Sequence, residues 1–551
     1  MKGNHKLKEK KLLIFMFVVF LFLRLFVSYN SVLLGSDNLK FMEVSKRFPY
    51  HTLTNDQLYL HHAPIYPYMV HFFALIFKDE FIAGIFLSLV AASVTFYVFY
   101  KFLMMLSKNF SVTFISLILF TLSVDFIITS NSVLRESFIV MLLSLSMYYY
   151  AKGIKFEDKK SILLAAFWGA ITALSTDHVM FLFPAFGVTY LFLNKQKTDL
   201  IKFKFPNLKW AIMPVIVTLL FFALWLGVKV HQYSKYEFYP SGFEGTPIST
   251  KGFGLAQLID PHNFKDYTTQ GGLGVDLKRI VYNFGYVFNI EPFEIPRGLN
   301  FLTYKYLLMP IHVFYIFLIY VPIAILSFLG IIFGIKESIK IKKFHQNVYV
   351  YFFVLLLIFI SPVFYQANSP RYIYPAYLFL YFFIASGLIW LLTKLNVNIN
   401  KAIMILTVLL ILLVPFWYFA HKNFVFFSEK TIGAANTAKF INENISKDAV
   451  IMSQPGFTFK LIYQTNNRII GLYPKPEALL NVMNYYNVSY IVVGRYYTYD
   501  VYHLAKDSVE FVNNNPKKFK LIATIKEDYS DFFKPEDPAS RDEGYIYQVL
   551  R

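Results

Sequence analysis

The sequence contains no cysteine, and only 16% of its 551 residues are charged. The missing cysteine excludes disulfides and thiolate metal sites. A soluble globular chain carries about a quarter charged residues, whereas this one is 56% hydrophobic and 20% aromatic. The chain also lacks a P-loop and an H-E-x-x-H motif, and "KGFGLAQ" lacks the third glycine of a dinucleotide fingerprint. What remains is the composition of a polytopic membrane protein.

Long apolar segments define the expected fold class. A helix needs about 20 mostly apolar residues to cross a bilayer. Candidate spans lie at 11–30, 81–106, 111–130, 133–151, 161–176, 179–194, 210–230, 306–335, 347–364, 372–393 and 401–420. We interpret the first as an uncleaved helix, because no small-residue cleavage site follows it. Residues 65–77 form a shorter apolar segment, which we expect to lie along the membrane interface.

The net charge of +19 would suggest a nucleic-acid partner in a soluble chain. Here the distribution of lysines is explained by the predicted membrane topology instead. With the N-terminus inside, they occupy the inner connections, whereas the short outer connections near residues 131, 177 and 368 contain none. This positive-inside pattern predicts a multi-pass plasma-membrane protein with no nucleic-acid partner.

The same topology predicts the domain organisation. Three larger pieces, 31–80, 231–305 and 421–551, fall outside. The last alternates helix-like runs with strand-like runs such as "AVIMS" and "SYIVVG". We therefore predict a transmembrane domain of about 11 helices over residues 1–420. A small extracytoplasmic α/β domain is expected over residues 421–551.

The first outer loop contains the first candidate site residues. Asp37, in "LLGSDNLKFMEVSKRF", directly follows the first span and suits either a general base or the N-cap of a helix. His61 and His62, in "YLHHAPIYPYMVHFF", suit phosphate or metal binding, or simply a wetted interface. Oxygen and nitrogen ligands for a divalent metal are available from Asp37, Glu43, His61, His62, Asp177 and His178, but the spacing does not demand a metal.

Two short outer connections contain further ionisable pairs. "SVLRESFIVML" places Arg135 and Glu136 at the outer end of a span, where they can contact substrate or snorkel to the interface. "ALSTDHVMF" places Asp177 and His178 at another outer turn, either as substrate contacts or as an ordinary polar turn between helices.

A late span opens with a third pair. In "VFYQANSPRYIYPAYLFL", Arg371 and Tyr372 lie near outer headgroup depth. The guanidinium suits a lipid phosphate, and both residues also suit an interfacial aromatic anchor. The ionisable residues of the short outer connections therefore converge on one face of the membrane.

The chain resembles the GT-C superfamily of membrane glycosyltransferases, and is most similar to protein O-mannosyltransferases and aminoarabinose transferases. The resemblance is carried by "GSDNLKFMEVSKRF", "HHAPIYPYMVHFFALIF", "NSVLRESFIVMLL", "GAITALSTDHVMFLFPAF" and "SPRYIYPAYLFLYFFIASG", in this order. It implies a polyprenyl-phosphate sugar donor and no required cofactor. The implied acceptor is a protein, glycan or lipid at the outer face of the cell envelope.

The resemblance also implies residue roles. An acidic catalytic residue in the first outer loop matches Asp37, and a basic residue opening a late span matches Arg371. His61, His62, Arg135 and His178 are further candidates for the donor phosphate, and Glu136, Asp177 and Tyr372 for substrate binding. Two departures stand out. Many members of the superfamily have a second acidic residue where this chain has Asn38. Many have a basic residue where this chain has Asp177, and His178 is a candidate substitute for it.

The predicted reaction is an inverting sugar transfer from the polyprenyl-phosphate donor. An alternative is a transporter or flippase of a lipid-linked or anionic substrate, and a second is a non-catalytic outer-surface assembly factor. Transporters usually place polar groups near the middle of the membrane. Here those groups lie at the outer ends of the spans, which favours the enzyme.

The topology is testable because the chain has no cysteine of its own. Single cysteines replacing Asn38 and Lys342 are expected to lie on opposite sides of the membrane. An impermeant thiol reagent added to intact cells should label Asn38→Cys only. Labelling of Lys342→Cys alone would reverse the orientation and remove the predicted mechanism.

Overall fold

The computed structural model describes residues 2–30, 41–42, 45, 63–194, 208–234, 321–340, 347–361, 374–398, 435–453, 461, 465–472, 479–480, 483–484, 486–494, 508–526 and 543–550. The helices are α1 (Lys2–Asn30), α2 (Ile65–Phe77), α3 (Glu80–Ser107), α4 (Phe110–Leu122), α5 (Val124–Ser130), α6 (Glu136–Phe156), α7 (Lys159–Ala173), α8 (Leu182–Leu193), α9 (Leu208–Ser234), α10 (Val321–Lys340), α11 (Val348–Ile360), α12 (Tyr374–Lys394) and α13 (Ala435–Asn444). The strands are β1 (Val450–Ser453), β2 (Arg468–Gly471), β3 (Val488–Gly494), β4 (Phe519–Lys526) and β5 (Glu543–Val549).

Polar residues set the helix ends within this apolar sequence. Asp79 precedes α3 and accepts a hydrogen bond from the Ile82 amide at 2.8 Å. Asp158 does the same for α7, accepting from the Lys160 amide at 3.1 Å and from the Ser161 hydroxyl at 2.6 Å. The hydrogen bond from Ser161 lowers the pKa of Asp158. Such caps satisfy amides that the first helical turn leaves without partners.

Helix length and composition identify a membrane protein. Among the described residues, four helical segments are long and apolar enough to cross a bilayer: Glu80–Ser107, Glu136–Phe156, Leu208–Val228 and Tyr374–Lys394. Shorter apolar helices accompany them at Ile65–Phe77, Phe110–Leu122, His178–Leu193 and Val348–Ile360. The orientation, the total number of spans and the interfacial position of α2 stay predictions.

Helix α12 occupies the centre of the bundle. Every side chain from Tyr374 to Gly387 is buried. The helix packs against α4, α10 and α11 and also contacts α6. On the opposite side of the bundle, α7 packs between α6 and α9. A continuous apolar core from Met16 to Ala385 joins these helices.

The structure divides one predicted span. The sequence predicts a single helix over 111–130, but the chain forms α4 and α5 with a break at Ser123. The spans predicted at 161–176 and 179–194 correspond to α7 and α8, joined through a 3-10 turn at Asp177–Phe181. The span predicted at 401–420 lies outside the described residues.

A five-stranded sheet lies near the C-terminus, with strand order β2-β1-β3-β5-β4. β1 pairs in parallel with both β2 and β3, whereas β5 is antiparallel to β3 and β4. Apolar side chains form one cluster that includes Met452 and Ile491, and another that includes Ile451 and Val492. Alternation along β1 and β3 therefore buries both faces of the sheet.

Glycine allows α10 and α12 to pack closely. A side chain at Gly387 would meet the Leu326 carbonyl and the Gly330 backbone of α10, while one at Gly330 would meet the Phe383 carbonyl. Small residues of this kind permit close helix contact in membranes. By contrast, a Cβ added at Gly187 of α8 would have no atom within 4 Å.

We expect Gly387→Ala to destabilise the protein by about 1–3 kcal/mol, the usual cost of overpacking. The measurement is thermal unfolding of the purified protein in detergent. Gly187→Ala is the matched control and should be neutral or slightly stabilising, since alanine favours a helix over glycine. Equal melting temperatures for the two variants would contradict the close contact of α10 and α12.

Candidate functional site

Polar residues gather where several helices begin or end at one side of the bundle. α6 and α7 are joined by two residues and pack against each other, so the start of α6 and the end of α7 lie at the same side, with the adjoining end of α5 and start of α8. The Ile65 amide donates to the Leu174 carbonyl at 3.4 Å, which ties the start of α2 to the end of α7. The predicted residues Arg135, Glu136 and His178 border this region.

Tyr66 lies at the centre of this region. Its side chain has no accessible surface, and its hydroxyl lies near Ser88 of α3 and within electrostatic range of Glu136 of α6. The ring contacts Phe41 edge-on, with centroids 5.1 Å apart, and Phe138 at 5.8 Å. The first turn of α2 therefore places a buried phenol in an apolar wall, within electrostatic range of a carboxyl group.

The turn before α6 is held from two sides. The Ser88 hydroxyl donates to the Ser132 carbonyl at 2.9 Å and lies 3.4 Å from the Leu134 carbonyl. The Ser137 hydroxyl donates to Thr129 Oγ1 at 3.2 Å, which joins α6 to α5. These bonds fix the backbone that leads into the predicted pair.

That pair differs in exposure. Arg135 is half-buried at the position before α6, whereas Glu136 is 7% exposed in its first turn. Free amides and the helix dipole favour a carboxylate at this place. The pair therefore combines a half-buried arginine with a buried glutamate.

A second turn places His178. Thr176 Oγ1 lies 2.8 Å from His178 Nδ1 and accepts a hydrogen bond from the His178 amide at 3.2 Å. The imidazole is 7% exposed, and its ring lies 6.0 Å from that of Phe181. Two contacts to one hydroxyl hold the ring in a defined orientation. The structure describes the backbone of Asp177 but not its side chain.

The remaining predicted residues, Asp37, His61, His62, Arg371 and Tyr372, lie outside the described residues. Their neighbours along the chain are described in part. Phe41 and Met42 pack into the apolar cluster of α2, α3 and α6. His71 Nδ1 donates to the Ser45 carbonyl at 2.8 Å. Residues shortly after Asp37 in sequence therefore pack against the helix that contains Tyr66.

Tyr66, Ser88 and Thr176 are absent from the sequence-based prediction. Tyr66 and Thr176 lie inside stretches already singled out, but tyrosine and threonine are common at membrane interfaces. No sequence period distinguishes Ser88 within α3. Among the described residues, no three histidine, aspartate or glutamate side chains gather in a way that could hold a metal ion.

The comparison with protein families gives a direct match. Residues 61–231 match the family model described as dolichyl-phosphate-mannose-protein mannosyltransferase. This segment contains Tyr66, Glu136 and His178. No curated protein matches the chain in sequence.

Solved structures match the fold over most of the chain. ArnT from Cupriavidus metallidurans, bound to undecaprenyl phosphate, aligns with a TM-score of 0.59 and 10% identity over 97% of each chain. The archaeal oligosaccharyltransferase AglB from Archaeoglobus fulgidus, in complex with an inhibitory peptide and a dolichol-phosphate, aligns with a TM-score of 0.52 and 13% identity. That alignment covers 89% of this chain and 69% of AglB.

A further structure of the Archaeoglobus fulgidus oligosaccharyltransferase is a complex with zinc and sulfate, and it matches with a TM-score of 0.51 and 13% identity. The alignment with this structure covers 88% of this chain and 67% of the oligosaccharyltransferase chain. Together, the family match and the shared fold confirm the predicted resemblance to the GT-C superfamily. The chain is therefore similar, over residues 61–231 and in overall fold, to membrane glycosyltransferases of this type.

The buried phenol of Tyr66 yields a prediction. Tyr66→Phe keeps the ring contacts to Phe41 and Phe138 but removes the hydroxyl. We expect the variant to fold normally, since both ring contacts remain, and to transfer sugar roughly tenfold more slowly, because the candidate site loses one buried hydroxyl donor. Tyr68→Phe, two residues along the same helix, is the control. Equal turnover of both variants would show that the Tyr66 hydroxyl serves packing alone.

Proposed function

We propose that the protein transfers a sugar from a polyprenyl-phosphate donor to an acceptor at the outer face of the membrane. The observation that carries this proposal is the convergence of Tyr66, Glu136 and His178 at one end of the bundle. The same end begins α12, and Arg371 lies three residues before Tyr374 in sequence. The ligands named for the ArnT and AglB structures, undecaprenyl phosphate and dolichol-phosphate, support this donor class.

Asp37 is proposed as the general base. It lies four residues before Phe41, and four residues of chain reach at most about 14 Å. Since Phe41 contacts Tyr66, this length of chain is compatible with a place for Asp37 at the same site. The carboxylate removes the proton from the acceptor hydroxyl as its oxygen attacks the anomeric carbon.

Arg371 is proposed to bind the phosphate of the donor. As the new bond forms, the bond between the anomeric carbon and the phosphate oxygen breaks, and negative charge grows on the leaving polyprenyl phosphate. A planar guanidinium can meet two phosphate oxygens at once and stabilise this charge. A single displacement of this kind inverts the anomeric centre. A monophosphate leaving group does not strictly require a metal.

The other predicted residues complete the proposed site. Arg135, His178, His61 and His62 supply positive charge or hydrogen-bond donors to the phosphate. Glu136, Asp177 and Tyr372 contact the sugar or the acceptor. In this proposal residues 1–420 form the catalytic membrane domain, and residues 421–551 form an α/β domain on the outer side.

The decisive variant is Asp37→Asn, which keeps the size and the N-capping ability of the residue but removes the base. Loss of general-base help typically slows a reaction by about 10²–10⁴-fold. We expect turnover of the purified variant to fall within this range, with donor binding preserved. Mass spectrometry of surface glycans should show one sugar missing, whereas loss of a whole glycan would indicate a transporter.

Asp79→Asn is the matched control, since Asp79 is an established N-cap whose carboxylate accepts from the Ile82 amide. Asparagine caps a helix about as well as aspartate, so this variant should retain full activity. If Asp37→Asn is as active as Asp79→Asn, Asp37 is a helix cap and the base lies elsewhere.

A further inference from the structure

Arg24 is a fully buried cation in an apolar helix. Its side chain has no accessible surface. Nη1 donates to the Thr121 carbonyl at 3.2 Å and to the Phe20 carbonyl at 3.4 Å, and Nη2 reaches the Phe120 carbonyl at 3.5 Å. The guanidinium also lies 3.6 Å above the Phe20 ring, where a cation is attracted to the aromatic face. Two of the three carbonyls belong to the last turn of α4.

The break between α4 and α5, at Ser123, lies within the membrane. α4 has 13 residues, which rise only about 20 Å and fall short of the roughly 30 Å hydrocarbon core. α5 completes the crossing after Ser123, whose backbone is extended, with φ −63° and ψ 122°. A helix end leaves carbonyls without helical partners, and no water satisfies them in hydrocarbon.

We propose that Arg24 is a positioning residue that caps the C-terminal end of α4 and thereby sets the direction of α5. The consequence reaches the candidate site, because α5 ends at Ser130 and leads directly into the turn before Arg135. That turn is joined to α6 through the hydrogen bond between Ser137 and Thr129.

The substitutions separate capping from charge. Arg24→Met removes both the donors and the charge at similar size. Arg24→Gln keeps two N–H donors without the charge, and Arg24→Lys keeps the charge with donors on a different geometry. Leu25→Met is the control, since Leu25 is adjacent on α1 but 54% exposed.

The geometric measurement uses a disulfide between cysteines replacing Thr129 and Ser137, whose hydroxyls lie 3.2 Å apart. The chain has no other cysteine, so oxidation by copper phenanthroline in native membranes reports the position of α5 directly. We expect Arg24→Met to slow this cross-link roughly tenfold, the population change that one lost charged hydrogen bond produces. Arg24→Gln and Leu25→Met should cross-link at near the unsubstituted rate.

A kinetic measurement accompanies the cross-link and rests on the proposed function. Displacing the turn before Arg135 should raise the KM for the donor in Arg24→Met more than it lowers kcat, with Arg24→Gln restoring KM. If neither the unsubstituted protein nor any variant transfers sugar, the proposed function is wrong. The cross-linking rates still test the role of Arg24 in that case.

Two results would overturn the inference. One is an undiminished cross-linking rate in Arg24→Met. The other is loss of the cross-link in Arg24→Gln with retention in Arg24→Lys, which would make charge rather than capping the role of Arg24. If Arg24→Met fails to fold, the comparison of Arg24→Gln with Arg24→Lys decides alone.

Discussion

No water reaches the backbone inside a bilayer, so each carbonyl freed by a helix end needs a partner from the chain. This constraint governs the protein wherever a described helix is interrupted. At Ser123 the guanidinium of Arg24 bonds the carbonyls of the last turn of α4. At the end of α7, the Ser175 hydroxyl donates to the Ile171 carbonyl at 2.6 Å. Irregular backbone therefore occurs where polar side chains support it.

The polar side chains that support these turns also lie at the candidate functional site. The turn before α6 needs the Ser88 hydroxyl to satisfy the Ser132 carbonyl, and this places Ser88 near Tyr66. The turn before α8 needs Thr176, which then orients His178. Structural support and candidate function share residues, because a bundle of apolar helices offers few other sites for polar groups.

Aromatic packing connects these turns to the centre of the bundle. The Phe126 ring of α5 contacts Tyr374, Tyr377 and Tyr381 of α12, with centroids 5.7 to 6.5 Å apart. Phe126 also meets Phe120 edge-on at 4.7 Å, close to Arg24. Contacts of this kind add to the energy of simple burial. They join the start of α12, which follows Arg371 in sequence, to the helix that leads toward Glu136.

Composition and lysine placement were sufficient for the class of protein, because burial in lipid demands long apolar helices and leaves a direct signal in the sequence. The ordered motifs were sufficient for the resemblance to GT-C glycosyltransferases. Strands β1 and β3 coincide with "AVIMS" and "SYIVVG", which the sequence predicts to be strands. The stretches around Glu136 and His178 also stood out from the sequence, since charged and imidazole groups are conspicuous beside apolar spans.

Only the tertiary structure decided how those stretches meet. The break at Ser123 depends on Arg24, which is 99 residues away in sequence, and no local pattern in "FTLSVDF" predicts it. The role of Tyr66 depends on α3 and α6 packing around it, so in sequence it resembled any interfacial tyrosine. Periodicity and charge act along the chain and can be read from it. Hydrogen bonds between distant helices depend on which helices pack together, and that depends on local fit, such as the close backbone approach of Gly330 and Gly387.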